Sequence, residues 1–399
     1  MWSIGNEIHE ALDTAGFRIA KNLAGAIRNL DNTRAITEGF NDFARRRGQK
    51  SRWHESAPHL ALLDVVGYNY MYDRYVEDHE KYPDRVMVAT EFMPLYSLAN
   101  WKTVEDHSYV IGNFAWVVMD YLGEAGVGLS RIVPDVPAEG RGLMGFFSRD
   151  SWPIFNDFQG DIDLIGNKKP RYYHQLVVWR KSNIEMMVHE PIPAGMKENV
   201  SPWGWPEEQK CWTWNGHEGE IMQIHVYTRS PLVKLELNGK IIGEQSVEGD
   251  TSITATFEVP FESGVLIARS YSNGVETGAD TLYTLGKPAA VRLVADRTDI
   301  RADRNDLSYV MAEIIDQKGN VIPNTDSIMV NFEVSGNGEI AGVGSGSPTD
   351  MASFQHPHRR SWHGRCMAIV RPSGNETGTI SLTARAEGLE SSTIEITTK

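Results

Sequence analysis

Two hydrophobic periods divide this chain, and the change from one to the other limits what it can fold into. From residue 1 to about 185, short apolar runs that read as strands alternate with segments of helical spacing. In Thr14–Asn29, residues Phe17, Ala20, Ala24 and Ile27, and then Leu30, recur at helical spacing, with Asp13 or Thr14 as the cap. Arg34–Glu38, Leu63–Tyr70, Arg85–Thr90 and Gly112–Met119 read as strands, and a further strand ends at Glu7. Strand, helix, strand, helix in this order predicts a parallel sheet.

From about Trp203 the helical spacing disappears and short strands between turn residues take over. Glu220–Thr228 and Val233–Leu237 alternate, and the second runs into Asn238-Gly239, a strong hairpin signal. Thr254–Val259, Gly264–Tyr271 and Thr281–Leu285 continue the pattern. Gly286-Lys287-Pro288 marks a boundary. Beyond it Ala290–Ala295, Ser308–Asp316, Ile328–Val334, Arg365–Arg371 and Ile380–Ala386 read as a second all-β region. Gly342–Arg360, rich in Gly, Ser, Pro and His, reads as a long loop. The predicted fold is α/β plus all-β. Residues 1–185 are the C-terminal part of a (β/α)8 TIM barrel, followed by immunoglobulin-like β-sandwiches at 200–286 and 287–399. A closed barrel needs eight strands and about 250 residues, whereas five strands can be counted here. The expectation is therefore the C-terminal part of a longer polypeptide.

The formal charge of −14 argues against a nucleic-acid or anionic-membrane surface, because an acidic field repels phosphate. No apolar run approaches the length that spans a bilayer. Cys211 and Cys366 fall in different expected domains and have no zinc-site spacing. His9, His54, His59 and His107 also lack ligand spacing and read as scattered surface residues rather than a metal site. No signal peptide is visible. The compartment is left unknown, with periplasmic or secreted placement fitting a chain whose beginning is expected to be elsewhere.

Two glutamates carry the chemistry. Glu7 closes Trp2-Ser3-Ile4-Gly5-Asn6-Glu7 and Glu91 lies in Val88-Ala89-Thr90-Glu91-Phe92. Each follows an apolar run, so each carboxylate is expected where a strand ends and its loop begins, the catalytic end of a (β/α)8 barrel. At roughly 25–30 residues per strand–helix unit they stand about three strands apart, close enough to converge across the barrel mouth. Paired carboxylates facing one sugar are the machinery of glycoside hydrolysis, and a negative Glu91 raises the pKa of a nearby Glu7. Tyr68 and Tyr70 share a face of their strand, so at least one of them belongs to the core.

At Trp2–Glu7, Gly67-Tyr68-Asn69-Tyr70, Thr90-Glu91-Phe92 and Asn113-Phe114-Ala115-Trp116 through Asp120-Tyr121-Leu122-Gly123-Glu124, the chain resembles glycoside hydrolase family 2. The resemblance covers most of the chain and extends through Gly160-Asp161-Ile162-Asp163 and Gly166-Asn167-Lys168-Lys169-Pro170. It implies Glu7 as general acid/base, Glu91 as nucleophile and Asn6 as the contact to the sugar 2-hydroxyl. It places Asn69 and Tyr70 on the strand that orients the nucleophile, and Trp116 on a pocket wall. Asp120 is read with them as substrate-binding. Phe92 and Met93 stand where many members have an aromatic followed by glycine, which is expected to alter the loop more than the chemistry.

The expected activity is a retaining exo-β-glycosidase, foremost a β-galactosidase, with β-glucuronidase and β-mannosidase as alternatives and no cofactor. Asn167-Lys168-Lys169 imitates a carboxylate-binding Asn-x-Lys pair but reads as structural from its place before Pro170, which tilts the substrate towards a neutral sugar. A reading of another class, a truncated non-catalytic carbohydrate-binding fragment, stays open because barrel strands are uncounted. Homo-oligomerisation through the β-domains is also left open. Trp203, Trp205, Trp212 and Trp214 read either as a sugar platform or as packing between domains.

Overall fold

The computed structural model describes residues 1–8, 12–42, 48, 50–135, 153–249 and 251–399. His9 lies outside them. The chain divides into two compact units, Met1–Val117 and Val118–Lys399.

The first unit is a five-stranded parallel sheet whose strands neighbour one another in chain order: β1 Trp2–Asn6, β2 Ile36–Phe40, β3 Val65–Asn69, β4 Met87–Glu91 and β5 Val110–Asn113. Helices α1 Thr14–Leu30, α2 Ala57–Leu60, α3 Tyr75–Lys81 and α4 Ser97–Asp106 lie in the crossovers. Asp13 caps α1 by accepting from the Gly16 backbone N–H at 2.8 Å. The small side chains of Ala20 and Ala24 pack against Ile4 and Ile36. Leu30, at the last turn of α1, is 91% exposed, so the helical stripe stops short of it.

β2 and β3 are buried along their whole length, as expected of central parallel strands covered on both faces. Tyr68 is a core residue. Its hydroxyl donates to Asp78 at 2.6 Å, where Trp53 Nε1 and Arg85 also bond. His59 is not at the surface; it is buried with Nε2 2.9 Å from the Glu38 carboxylate.

The second unit is mostly antiparallel sheet. One four-stranded sheet has the order Thr254–Pro260, Ile221–Thr228, Ile184–His189, Glu208–Gln209. A second has the order Lys240–Ser246, Leu232–Leu237, Val265–Ser272, Val275–Tyr283. Met222, Ile224 and Val226 from the first share a core with Val233, Leu235 and Leu266 from the second. Asn238-Gly239 and Asn273-Gly274 both turn with positive φ, the backbone that closes a two-residue hairpin. The first sheet starts upstream of residue 200, the expected start of the sandwich. Ile184–His189 is buried at all six positions and so has no alternation to reveal it.

Arg131–Pro134 pairs with Met196–Asn199, and the other described strands form a four-stranded and a five-stranded sheet around a core that includes Val310, Ala312, Phe332, Ala368, Val370 and Leu382. The expected loop Gly342–Arg360 overlaps two strands, Gly338–Gly344 and His358–Arg360. Arg359 is buried there, donating to the carbonyls of Val343 and Ala352 at 2.8 and 2.9 Å. Gly338, Gly342 and Gly344 dilute Ile340 and Val343, the β-branched residues that mark a strand in sequence. Cys211 and Cys366 are both buried free thiols.

Candidate active site

Parallel strands in one sheet end on the same side, so the residues that follow β1 to β4 are gathered at one edge. Two local devices then turn consecutive side chains towards a common point. Glu7 and Tyr70 have left-handed backbones, with φ of 52° and 59°. Each still donates its backbone N–H to the next strand, Glu7 to the Gly39 carbonyl and Tyr70 to the Glu91 carbonyl, both at 2.8 Å. The backbone is held while the side chain leaves the in–out alternation of a strand. Tyr70 therefore does not share the face of Tyr68. The other device is a register shift between Tyr68–Ala89 and Asn69–Glu91, which leaves Thr90 as an extra residue.

Asn69 lies at the centre of the resulting cluster and is fully buried. Its Nδ2 donates to Asn6 Oδ1 at 3.0 Å and to Glu7 Oε1 at 3.1 Å, and its Oδ1 accepts from the Thr90 hydroxyl at 2.5 Å. Asn41 Nδ2 donates to the same Glu7 oxygen at 2.7 Å. Burial raises the pKa of the Glu91 carboxyl, and the Glu7 charge adds to the rise; hydrogen bonds from Tyr70, Asn6 and Asn69 oppose it. Glu7, Glu91, Asn6, Asn69 and Tyr70 thus form one hydrogen-bonded and electrostatically coupled group.

Gly39 leaves room for this arrangement. A Cβ there would lie 2.4 Å from Asn6 Oδ1 and 2.9 Å from Asn69 Oδ1. Gly39 and Asn41 are absent from the residues singled out in the sequence, and Thr90 stands there only as the neighbour of Glu91. Their signal was available: Gly39-Phe40-Asn41 closes β2 as Asn6-Glu7 closes β1. Trp116 follows β5 and is half-buried. Phe92 is buried, and Met93 takes an extended backbone (φ −73°, ψ 140°) that needs no glycine.

Asp120, expected to bind substrate, belongs to the second unit, where it is buried against Lys169. It is 3% exposed, and both carboxylate oxygens lie 3.1 Å from Lys169 Nζ, with the Gly160 N–H donating to one of them. Both of its oxygens are thus engaged by the protein. Asn167 Nδ2 donates to Asp163 at 3.0 Å, so Asn167 and Lys169 are engaged structurally as well. Trp203, Trp212 and Trp214 are buried, which removes three of the four tryptophans from an exposed platform.

Residues 291–395 match the family model described as Glycoside hydrolase family 2 C-terminal domain 5, and residues 219–278 match a domain of unknown function. A solved glycosyl hydrolase family 2 member from Bacteroides cellulosilyticus superposes with a TM-score of 0.86 at 35% identity, over 100% of this chain and 49% of that one. The chain belongs to glycoside hydrolase family 2. It corresponds to the C-terminal portion of family 2 proteins. The beta-galactosidase BoGH2A of Bacteroides ovatus is 25% identical to this family 2 chain over 99% of its length and 49% of the relative. A beta-glucuronidase of Formosa agariphila is 23% identical over 44% of the chain and 16% of the relative. The chain thus spans about half the length of BoGH2A and of the Bacteroides cellulosilyticus protein.

Proposed function

We propose that this chain carries the two catalytic carboxylates of a retaining β-glycosidase, with Glu91 as nucleophile and Glu7 as general acid/base. The observation that carries the reading is the Asn69 amide, which donates to Glu7 at 3.1 Å and to Asn6 at 3.0 Å, in the cluster where burial and then the Glu7 charge raise the pKa of Glu91. Two coupled carboxyls at the ends of β1 and β4 suit double displacement. Glu91 attacks the anomeric carbon as Glu7 protonates the departing oxygen. Glu7 then takes a proton from water, which releases the sugar from Glu91. Asn6, exposed at the rim and bonded to Asn69, is the residue proposed to meet the sugar 2-hydroxyl. Trp116 is proposed as a pocket wall.

The parallel sheet of Met1–Val117 is proposed as part of a (β/α)8 barrel. Its strands run in chain order with no reversal, as in a singly wound barrel and unlike a doubly wound sheet. The two layered β regions of the second unit are proposed as immunoglobulin-like sandwiches. A β-galactoside is the proposed substrate. Supporting it are the relative BoGH2A and the engagement of Asn167 and Lys169 with Asp163 and Asp120, which leaves that pair unsuited to a sugar carboxylate.

The test is trapping with a 2-deoxy-2-fluoro-β-galactoside that bears a good leaving group, followed by peptide mass spectrometry. It applies to this chain and to a longer polypeptide containing it. A label on the peptide bearing Glu91 is expected, whereas a label on another carboxylate ends the assignment. Trapping by the fluoroglucuronide instead would transfer the substrate to the glucuronide class while keeping the two roles.

A further inference from the structure

The second unit encloses a cavity of roughly 390 Å³, within the size range of small-molecule sites. We propose that it binds a neutral mono- or disaccharide without hydrolysing it, through the amides of Gln159 and Gln209 and the rings of Tyr173, Trp205 and Tyr283. This inference is independent of the roles given to Glu7 and Glu91.

Three observations support it. Gln159 lines the cavity at 2% exposure, yet neither its Oε1 nor its Nε2 has a hydrogen-bond partner in the protein. Gln209 lines it at 6% exposure with Oε1 unpartnered, while its Nε2 donates to Glu190. A buried polar atom without a partner is destabilising, which favours a ligand that satisfies it. A primary amide presents a donor and an acceptor side by side, and a sugar hydroxyl answers both.

The ring composition fits the same ligand class. Tyr173 and Trp205 stand on the wall, and Tyr283, 56% exposed, marks the side open to solvent. The C–H face of a pyranose packs on such rings while its hydroxyls turn to the amides.

The charges exclude an anion as the preferred guest. Arg171 faces Asp161 at 2.7 Å, Lys169 faces Asp120 at 3.1 Å, Lys210 faces Asp280 at 2.8 Å and Arg365 faces Glu313 at 3.1 Å. Lys168 lies over the Tyr172 ring. The carboxyl of Glu207 on this wall is pushed up to about 8 by burial and then by the Glu190 charge.

The experiment titrates galactose, glucose, lactose and glucuronate into the full 399-residue chain, read by calorimetry and tryptophan fluorescence. Wild type and Glu91→Gln should bind at least one neutral sugar with Kd below about 10 mM. Tyr283→Ala, at an exposed position that folding tolerates, and near-isosteric Gln159→Met should each weaken that binding at least about tenfold, with circular dichroism confirming the fold. Binding that survives both cavity substitutions, binding lost in Glu91→Gln alone, tighter binding of glucuronate than of the neutral sugars, or no binding at all overturns the proposal.

Discussion

The Thr90 hydroxyl donates to Asn69 Oδ1 at 2.5 Å, and this bond decides which way the Asn69 amide faces. With Oδ1 held, Nδ2 is directed at Asn6 and Glu7. Asn69→Ala should lower kcat/KM by about a hundredfold, the loss that follows removal of one preorganised donor. Thr90→Val leaves the amide in place but free to flip, and roughly a tenfold loss is expected. Steady-state kinetics on an active polypeptide containing this chain, with melting curves as the folding control, separates the two. Equal losses would remove Thr90 from the orienting role.

The elevated pKa of Glu91 has a kinetic consequence if Glu91 is the nucleophile. The reaction then needs Glu91 ionised, so the acidic limb of the kcat/KM profile should lie above the ordinary glutamate range. Tyr70 hydrogen-bonds this carboxyl and favours its ionised form. Tyr70→Phe removes that stabilisation, and the limb should move further towards alkaline pH. A limb that stays in place, or moves towards acid, would contradict the assignment of Glu91.

Gly39 and Gly67 should respond differently to alanine. At Gly39 the new methyl meets side-chain oxygens of Asn6 and Asn69, which can move. Gly39→Ala should therefore fold while losing most activity, since the Asn69–Asn6 bond is broken. At Gly67 it meets the Glu38 backbone carbonyl at 2.5 Å, within a central strand. Gly67→Ala should cost stability, by about 1–3 kcal/mol or more. Chemical denaturation of the two variants, compared with their activities, tests the contrast.

Glu207 makes the second unit sensitive to alkali. Its carboxyl rises from its ordinary 4.5 to about 8 in the fold. The native state therefore holds a proton that the unfolded chain has released, and the stability this supplies is fully present below about 4.5 and is lost as pH rises through about 8. Asp157, pushed up to about 7 by burial and then by the Asp120 charge, acts in the same direction. Thermal melts from about pH 5 to pH 9 should fall in wild type and flatten in Glu207→Gln, with Asp157 leaving a residual slope. Parallel curves for the two proteins would show that Glu207 does not titrate as described.

Much of the site was legible as strand ends. The runs ahead of Glu7, Tyr70 and Glu91 are apolar and short, and each stops at a polar residue. A parallel order and a shared edge follow from the alternation with helices. Asp13 as the α1 cap and the Asn-Gly hairpins are equally local, because a cap or a turn is decided by residues a few positions apart. The Asn167 and Lys169 side chains also engage the protein, as their place before Pro170 implies.

Tertiary packing decided the rest. Left-handed turns at Glu7 and Tyr70 and the extra residue at Thr90 arise where one strand must match its neighbour's register, and no local pattern encodes that match. Asn41 joins Glu7 only because β2 lies beside β1. Asp120 reads as a pocket acid in sequence and becomes the buried partner of Lys169 because a distant segment folds back on it. Ile184–His189 shows no period because both of its faces are covered. Periodicity reports how a segment meets water, whereas a site depends on which remote side chains share its hydrogen bonds.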